Sequence, residues 1–180
     1  DHVDIKIDSG KSLRYHDPRR FGCFLFHSGD INNHKLLKHL GPEPLDEEFC
    51  GEFLYSKSRG RNVSIKKFIM NAKTVVGVGN IYACEALFFS GINPKRSASK
   101  ISRERYNKLA ENIKMVLQSS IEMGGTTLRD FVNEVGEPGY FKQSLMVYGK
   151  NGHKCSYCCK MIKKIVQNNR STFYCSSCQN

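Results

Sequence analysis

Four cysteines near the end of the chain constrain the fold more than any other feature. Cys155-Ser156-Tyr157-Cys158 and Cys175-Ser176-Ser177-Cys178 are two Cys-x-x-Cys pairs separated by 16 residues. Each pair sets two sulfurs on one tight turn. Two such turns at the base of a hairpin gather four sulfurs into a tetrahedron, which suits Zn2+ and leaves no open position. The intervening residues fit a hairpin: Met161-Ile162 and Ile165-Val166, a turn at Asn168-Asn169, then Phe173 and Tyr174. Two disulfides or a redox pair are the competing readings. Cys23, Cys50, Cys84 and Cys159 are scattered and extend no framework. The chain opens on no signal-peptide pattern, which favours a reducing, cytoplasmic compartment. One structural zinc on Cys155, Cys158, Cys175 and Cys178 is therefore expected, stiffening a segment too short to bury a core of its own. Cys159, beside a ligand, reads as an ordinary thiol.

Charge sets the partner class. Lys and Arg total 28 against 17 Asp and Glu, a net charge of +11 over 180 residues. No acid lies between Glu52 and Glu85, a stretch holding Lys57, Arg59, Arg61, Lys66, Lys67 and Lys73. The segment from Tyr148 to Asn180 is also acid-free and carries Lys150, Lys154, Lys160, Lys163, Lys164 and Arg170. A third cluster is Lys95, Arg96, Lys100, Arg103, Arg105 and Lys108. One such cluster reads as a solvated face. Three, two of them acid-free, point to nucleic-acid phosphate. No apolar run approaches the ~18 residues of a membrane helix, so no membrane partner is expected.

The patterning predicts an α+β chain. Val3, Ile5 and Ile7 alternate with polar residues, a half-buried strand. Ser9-Gly10 turns it into a second strand with Leu13 and Tyr15, and residues 21–26 form a third apolar run. A lone hairpin needs further strands, so the chain is expected to be a piece of a longer one, cut within a β-domain. Residues 31–40 predict a helix stopped at Gly41-Pro42. Asp46 is expected to cap a short helix bearing Phe49, Phe53 and Leu54, and Ser64 another running to Met70. Gly77-Val78-Gly79-Asn80 leads into a helix over 81–90, with Gly91 as its C′ residue. That turn exposes N–H groups able to bind phosphate, although a glycine turn before a helix is commonly only geometry. Ser102 opens the longest helix, whose stripe is Tyr106, Leu109, Ala110, Ile113, Val116, Leu117 and Ile121. Gly124-Gly125 ends it, Thr126 or Thr127 caps a short following helix, and residues 133–144 form a loop. Arg19-Arg20-Phe21 after the Asp17-Pro18 turn has two readings. One is a core Phe with surface Arg. The other is a wedge, with Phe between base steps and Arg filling the space of an extruded nucleotide.

Together the pieces resemble the carboxy-terminal part of bacterial formamidopyrimidine-DNA glycosylase, a family that removes oxidised purines. The landmarks are Asp17-Pro18-Arg19-Arg20-Phe21-Gly22, Leu40-Gly41-Pro42-Glu43-Pro44-Leu45, Val75-Val76-Gly77-Val78-Gly79-Asn80-Ile81-Tyr82-Ala83, Gly124-Gly125-Thr126-Thr127-Leu128 and Gly139-Tyr140-Phe141, with the four tail cysteines. The resemblance runs over essentially the whole chain. It implies the end of an amino-terminal β-sandwich with its crossing segment over 1–45. A helix–two-turns–helix DNA-binding domain would follow over 46–144, with residues 79–90 and 102–123 as the motif helices. A β-hairpin zinc finger would occupy 145–180. It also implies site roles. Arg19 and Phe21 would fill and wedge the duplex, and Arg61, Lys66 and Asn80 would hold backbone phosphate. Arg170 at the finger tip would grip the phosphate by the lesion and serve the second elimination step. The loop near 129–142 would cover the extruded base. The implied partner is damaged double-stranded DNA, bound by a monomer associated with the bacterial nucleoid.

The family's nucleophile is an amino-terminal proline, followed by a glutamate, with a lysine further along. The proline amine attacks the sugar C1′ and forms a Schiff base. Asp1-His2 does not fit that start, so residues 1–180 alone are expected to be inactive. The first expectation is thus part of a bifunctional glycosylase and abasic-site lyase acting on 8-oxoguanine or formamidopyrimidine. The alternative is a non-catalytic, zinc-dependent DNA-binding module. An RNA-binding zinc ribbon ranks below both, because the Arg-Arg-Phe wedge argues for duplex opening.

Overall fold

In the computed structural model, residues 2–18, 20–126 and 140–180 are described. Two units result, Asp1–His39 and Leu40–Asn180. The fold is α+β, built among the described residues from two antiparallel hairpins and four α-helices.

In the first unit, β1 (Val3–Lys6) pairs with β2 (Ser12–Tyr15), in the register Val3↔Tyr15 to Lys6↔Ser12. Gly10 takes φ +77° in the connecting turn, a conformation only glycine adopts without strain. Asp4 and Arg14 pair across the strands at 2.8 Å. Ile5, Ile7 and Leu13 are exposed. Two expectations fail here. Residues 21–26 form no strand, and Phe21, Phe24, Leu25 and Phe26 are exposed. A strand needs a partner backbone, and none of the described segments supplies one. Residues 31–40 form only a 3-10 turn, Ile31–Asn33, capped by the Asp30 carboxylate on Asn32 N–H at 3.0 Å. Leu36, Leu37 and Leu40 remain exposed, and a short helix without a buried face is marginal.

The second unit carries the core. Helix α1 (Gly51–Ser58) lies against the long α4 (Arg103–Glu122), with α2 (Ile65–Ile69) and α3 (Asn80–Phe89) completing the cluster. α1 begins at Gly51, five residues after Asp46, and its N-cap Cys50 makes no side-chain cap; Asp46 O instead accepts Phe49 N–H in a turn. A Cβ on Gly51 would meet the Asn107 backbone at 2.4 Å. The α1–α4 approach therefore needs glycine there. Ser64 caps α2 and Ser102 caps α4, as their sequences predict. Gly91 follows α3 at φ +67°. The α4 stripe is buried from Tyr106 to Leu117, but Ile121 is 61% exposed. Ser120 takes its place, buried against the Tyr82 hydroxyl at 2.8 Å. Burial pushes the Tyr106 phenol up to about 12, and it donates to Ala98 O at 2.9 Å. Residues 163–167 and 170–174 form the second hairpin, β3 (Lys163–Gln167) and β4 (Arg170–Tyr174). Asn168 and Asn169 both take positive φ in its turn, as a two-residue hairpin loop requires. The short helix expected after Thr126 or Thr127 lies outside the described residues, and Thr126 itself forms a bridge with Tyr140.

Candidate nucleic-acid interface

The two Cys-x-x-Cys turns meet at the hairpin base. The sulfurs of Cys155, Cys158, Cys175 and Cys178 all lie within 4.8 Å of one another. The Cys155–Cys178 and Cys158–Cys175 separations are 3.9 and 3.4 Å. Four thiolates about 2.3 Å from a tetrahedral Zn2+ stand about 3.8 Å apart, so the cage fits one structural zinc and offers no fifth position. The Lys160 N–H draws the Cys158 thiol down to about 7. Burial and the neighbouring sulfurs push Cys178 up. Four sulfurs this close do not all ionise without a cation among them. Cys159 is exposed, with φ +59°.

The finger is docked on the helices through three buried polar contacts. Glu85 of α3 accepts the N–H groups of Met146, Val147 and Tyr148 at 2.7, 3.0 and 2.8 Å. Burial raises its carboxyl, against the pull of those three donors. Gln179 accepts Cys175 N–H at 2.8 Å and donates to Ile92 O at 2.9 Å. Lys66, only 2% exposed, reaches from α2 into the finger. Its ammonium donates to Asn80 Oδ1, to Thr172 Oγ1 at 2.7 Å and to Ser171 O at 3.3 Å. Asn80 Nδ2 donates in turn to Ser171 O at 3.0 Å and Tyr148 Oη at 3.3 Å. Burial lowers the Lys66 pKa and Arg170 adds to the effect, while burial pushes the neighbouring Cys84 thiol up.

Beside this latch lies a groove of about 730 Å³. Its cations are Lys57, Arg61, Lys66, Lys67, Lys73 and Arg170, and among the described residues no acid lines it. Phe68, Met70 and Val63 give it an apolar floor, and Gln167 and Asn168 bring in the hairpin tip. Helix α3 starts at Asn80 behind Gly79, its first N–H groups free of side-chain caps. Focused positive charge with a helix N-terminus close by is a site for phosphate.

The H2TH domain of formamidopyrimidine-DNA glycosylase matches residues 40–132. The chain belongs to the formamidopyrimidine-DNA glycosylase family. A formamidopyrimidine-DNA glycosylase of Idiomarina loihiensis is 54% identical over 179 residues, covering 99% of this chain and 66% of the relative. One from Alcanivorax borkumensis is 56% identical over the same span. The chain thus spans just under two thirds of these relatives' length. Among solved structures, the MutM (Fpg) protein of Thermus thermophilus superposes with a TM-score of 0.86 at 36% identity, covering 95% of this chain and 65% of that one. A complex of Lactococcus lactis Fpg with abasic-site DNA gives 0.73 at 34% identity, covering 80% and 53%.

Against the family's expected contacts, Arg61, Lys66 and Arg170 line the groove, and Asn80 is bonded to Lys66. Lys66 is spent on protein acceptors, whereas Arg61 and Arg170 are exposed. Phe21 belongs to the other unit and is 82% exposed. Its turn is organised by Asp17, whose carboxylate accepts Gly22 N–H at 2.7 Å and the Tyr15 hydroxyl at 3.2 Å. Arg19 lies outside the described residues, as do positions 129–139 of the covering loop. Of its remainder, Phe141 packs on Tyr82 at 5.9 Å. Reading the sequence alone misses Glu85, Thr172 and Gln179. Glu85 had a signal, a lone acid in the apolar run 83–89. No helix among the described residues is long and apolar enough to cross a membrane.

Proposed function

We propose that this chain is the DNA-gripping part of a base-excision repair enzyme, a DNA glycosylase and abasic-site lyase acting on oxidised purines. The observation that carries the reading is the basic groove in which the finger-tip Arg170 and the α2 cations face one volume beside the Lys66–Asn80 latch. Relatives carry the glycosylase name, and solved neighbours are complexes with abasic-site and Fapy-dG containing DNA. The duplex backbone enters the groove as a polyanion. Arg61 and Arg170 meet phosphate directly, by charge-assisted hydrogen bonds. Asn80 presents its amide and the α3 N-terminus, and buried Lys66 holds Asn80 in place while adding to the potential. Phe21 wedges the base stack, with Arg19 filling the vacated space. Arg170 steadies the phosphate through the elimination that breaks the strand. The protein acts as a monomer on damaged double-stranded DNA in the bacterial cytoplasm. The chemical step is the family's attack by an amine on sugar C1′, which breaks the N-glycosidic bond, releases the oxidised base and opens the sugar ring to an imine that borohydride reduces.

The test is borohydride trapping with the intact protein isolated from its source, on duplex carrying formamidopyrimidine or 8-oxoguanine. A covalent protein–DNA adduct and strand cleavage are expected. Salt-sensitive binding without adduct or cleavage would leave a DNA-binding module and overturn the enzymatic reading.

A further inference from the structure

The third basic cluster of the sequence is not used by the groove. Residues 93–97 connect α3 to the 3-10 turn Ala98–Lys100, and the backbone of this loop is pinned on both sides. Pro94 O accepts from Gln167 Nε2 and from Lys66 N–H, each at 3.4 Å. Arg96 O accepts Ile65 N–H at 2.7 Å, and Asn93 N–H donates to Asn180 O at 3.2 Å. The loop therefore touches the groove wall at Pro94, through Gln167. Beyond Pro94 the backbone runs beside residues 61–65, while the Lys95 side chain reaches back to the hairpin stem. Lys95 Nζ stands 5.6 Å from the centroid of the Tyr174 ring. Lys163 is the cross-strand partner of Tyr174, and directly opposed residues share a face. Lys95 of the loop and Lys163 of the finger are thus both neighbours of Tyr174, one through its side chain and one through the strand register.

The charge here is uncompensated among the described residues. Lys95, Arg96 and Lys163 are exposed, and none has an ion pair among the described residues. No acid occurs in the sequence between Glu85 and Glu104, and Glu85 is buried on three N–H groups. Arg105 beside them spends its guanidinium on Gly91 O and Asn180 O, at 2.8 and 2.9 Å. The Arg96 charge adds to burial in lowering its pKa. Like charges held together on fixed backbone repel unless a polyanion lies across them, and that polyanion releases its counterions on binding.

We propose that Lys95, Arg96 and Lys163 form a second phosphate track, which holds duplex DNA flanking the segment in the groove. This rests on the duplex-binding reading above and extends it. DNA is the occupant because the ridge adjoins a wall of the groove, so a duplex leaving the groove past Gln167 meets it next. The ridge adds affinity without reading bases, since its groups are ammonium and guanidinium charges on exposed stems.

The experiment compares zinc-loaded wild-type protein with the Lys95→Ala/Arg96→Ala double variant and, separately, Lys163→Glu. Each is titrated on duplexes of about one and about two helical turns, with a stable abasic-site analogue at the centre, over a range of salt. Wild type should gain affinity on the longer duplex. Both variants should lose that gain, roughly tenfold at low salt, with short-duplex binding unchanged. The log–log salt slope of the double variant on the long duplex should fall by about 1.8, at about 0.9 per phosphate. Equal loss on both lengths, or no loss on the long one, overturns the proposal, as does a length gain seen only with structured RNA. Wild type that binds neither duplex overturns instead the reading on which the track rests. Lys163 lies on a different element from the loop. Agreement between the two variants therefore excludes a mere shift of the loop.

Discussion

Lys66 and Thr172 lie 106 residues apart in sequence and 2.7 Å apart at their side-chain tips. That bond joins a groove-lining helix to the buried second strand of the zinc-finger hairpin. Thr172→Val keeps the shape and removes the acceptor, leaving a buried ammonium one partner short. A loss of about 1.5–3 kcal/mol is expected for a hydrogen bond to a charged group. The melting temperature should fall by about 2–4 °C per kcal/mol, while metal analysis still finds one zinc per chain. An unchanged melt would show that Lys66 does not depend on the finger.

The same lysine sets a pH dependence. Burial lowers its folded pKa below the ordinary lysine value, so in that window the unfolded chain holds a proton that the native chain has lost. Stability should therefore rise with pH from the lowered value up to about 10.4, the ordinary lysine pKa. The comparison is denaturant unfolding of wild type and Lys66→Met across alkaline pH. Wild-type stability minus variant stability should increase through the window, and a flat difference would contradict it.

Zinc removal should unmake the finger and spare the helices. Structural zinc contributes about 10–16 kcal/mol in zinc-finger peptides, and the hairpin has little core beyond Ile162, Phe173 and the ligand cysteines. A chelator is expected to release one zinc per chain, keep most helical circular dichroism, and abolish duplex binding. Adding zinc back should restore it. Full loss of helicity would mean that the helical core depends on the metal as well.

Glu85→Gln exchanges a carboxylate with three N–H donors for a neutral amide that accepts more weakly and brings two donors of its own. One or more of Met146, Val147 and Tyr148 N–H is left unsatisfied, a loss of about 1–3 kcal/mol. Hydrogen exchange at those three amides is the direct readout. Their exchange should accelerate in the variant while amides in mid-α4 stay protected.

Phe21→Ala should leave stability within about 0.5 kcal/mol, as for an exposed site, because the ring is 82% exposed. Its effect should appear on DNA. A fluorescent base analogue beside an abasic-site analogue should brighten when wild type unstacks it and stay quenched with the variant. Equal brightening would remove Phe21 from the wedge role.

What the sequence makes legible follows the range of each interaction. The zinc cage rests on two local turns, so spacing alone locates Cys155, Cys158, Cys175 and Cys178. The caps at Ser64 and Ser102 are equally local. The groove is not: no periodicity relates Arg61 to Arg170, and the family resemblance alone suggested that they act together. Periodicity also says nothing of where a core ends, which is why Ile121 continues the α4 stripe yet stands exposed. Residues 21–26 carry β-forming side chains, but a strand is a property of two backbones. Thr172 and Gln179 gave no signal, since their value comes from partners 106 and 87 residues away.

The many pins along the finger have a mechanical consequence. Glu85 holds the entry to the finger, Gln179 the second cysteine turn, Lys66 and Asn80 the strand after the tip, and Pro94 the side chain before it. A beam fixed at so many points has little play, so α3 and the hairpin present one stiff template. The compliant partner is then the double helix. Curving a site of 20–30 base pairs by 40–90° costs on the order of 1–6 kcal/mol, least where pyrimidine–purine steps flex easily. Sequence context around a lesion would thus be sensed through the stiffness of the DNA, by a surface that touches none of the flanking bases.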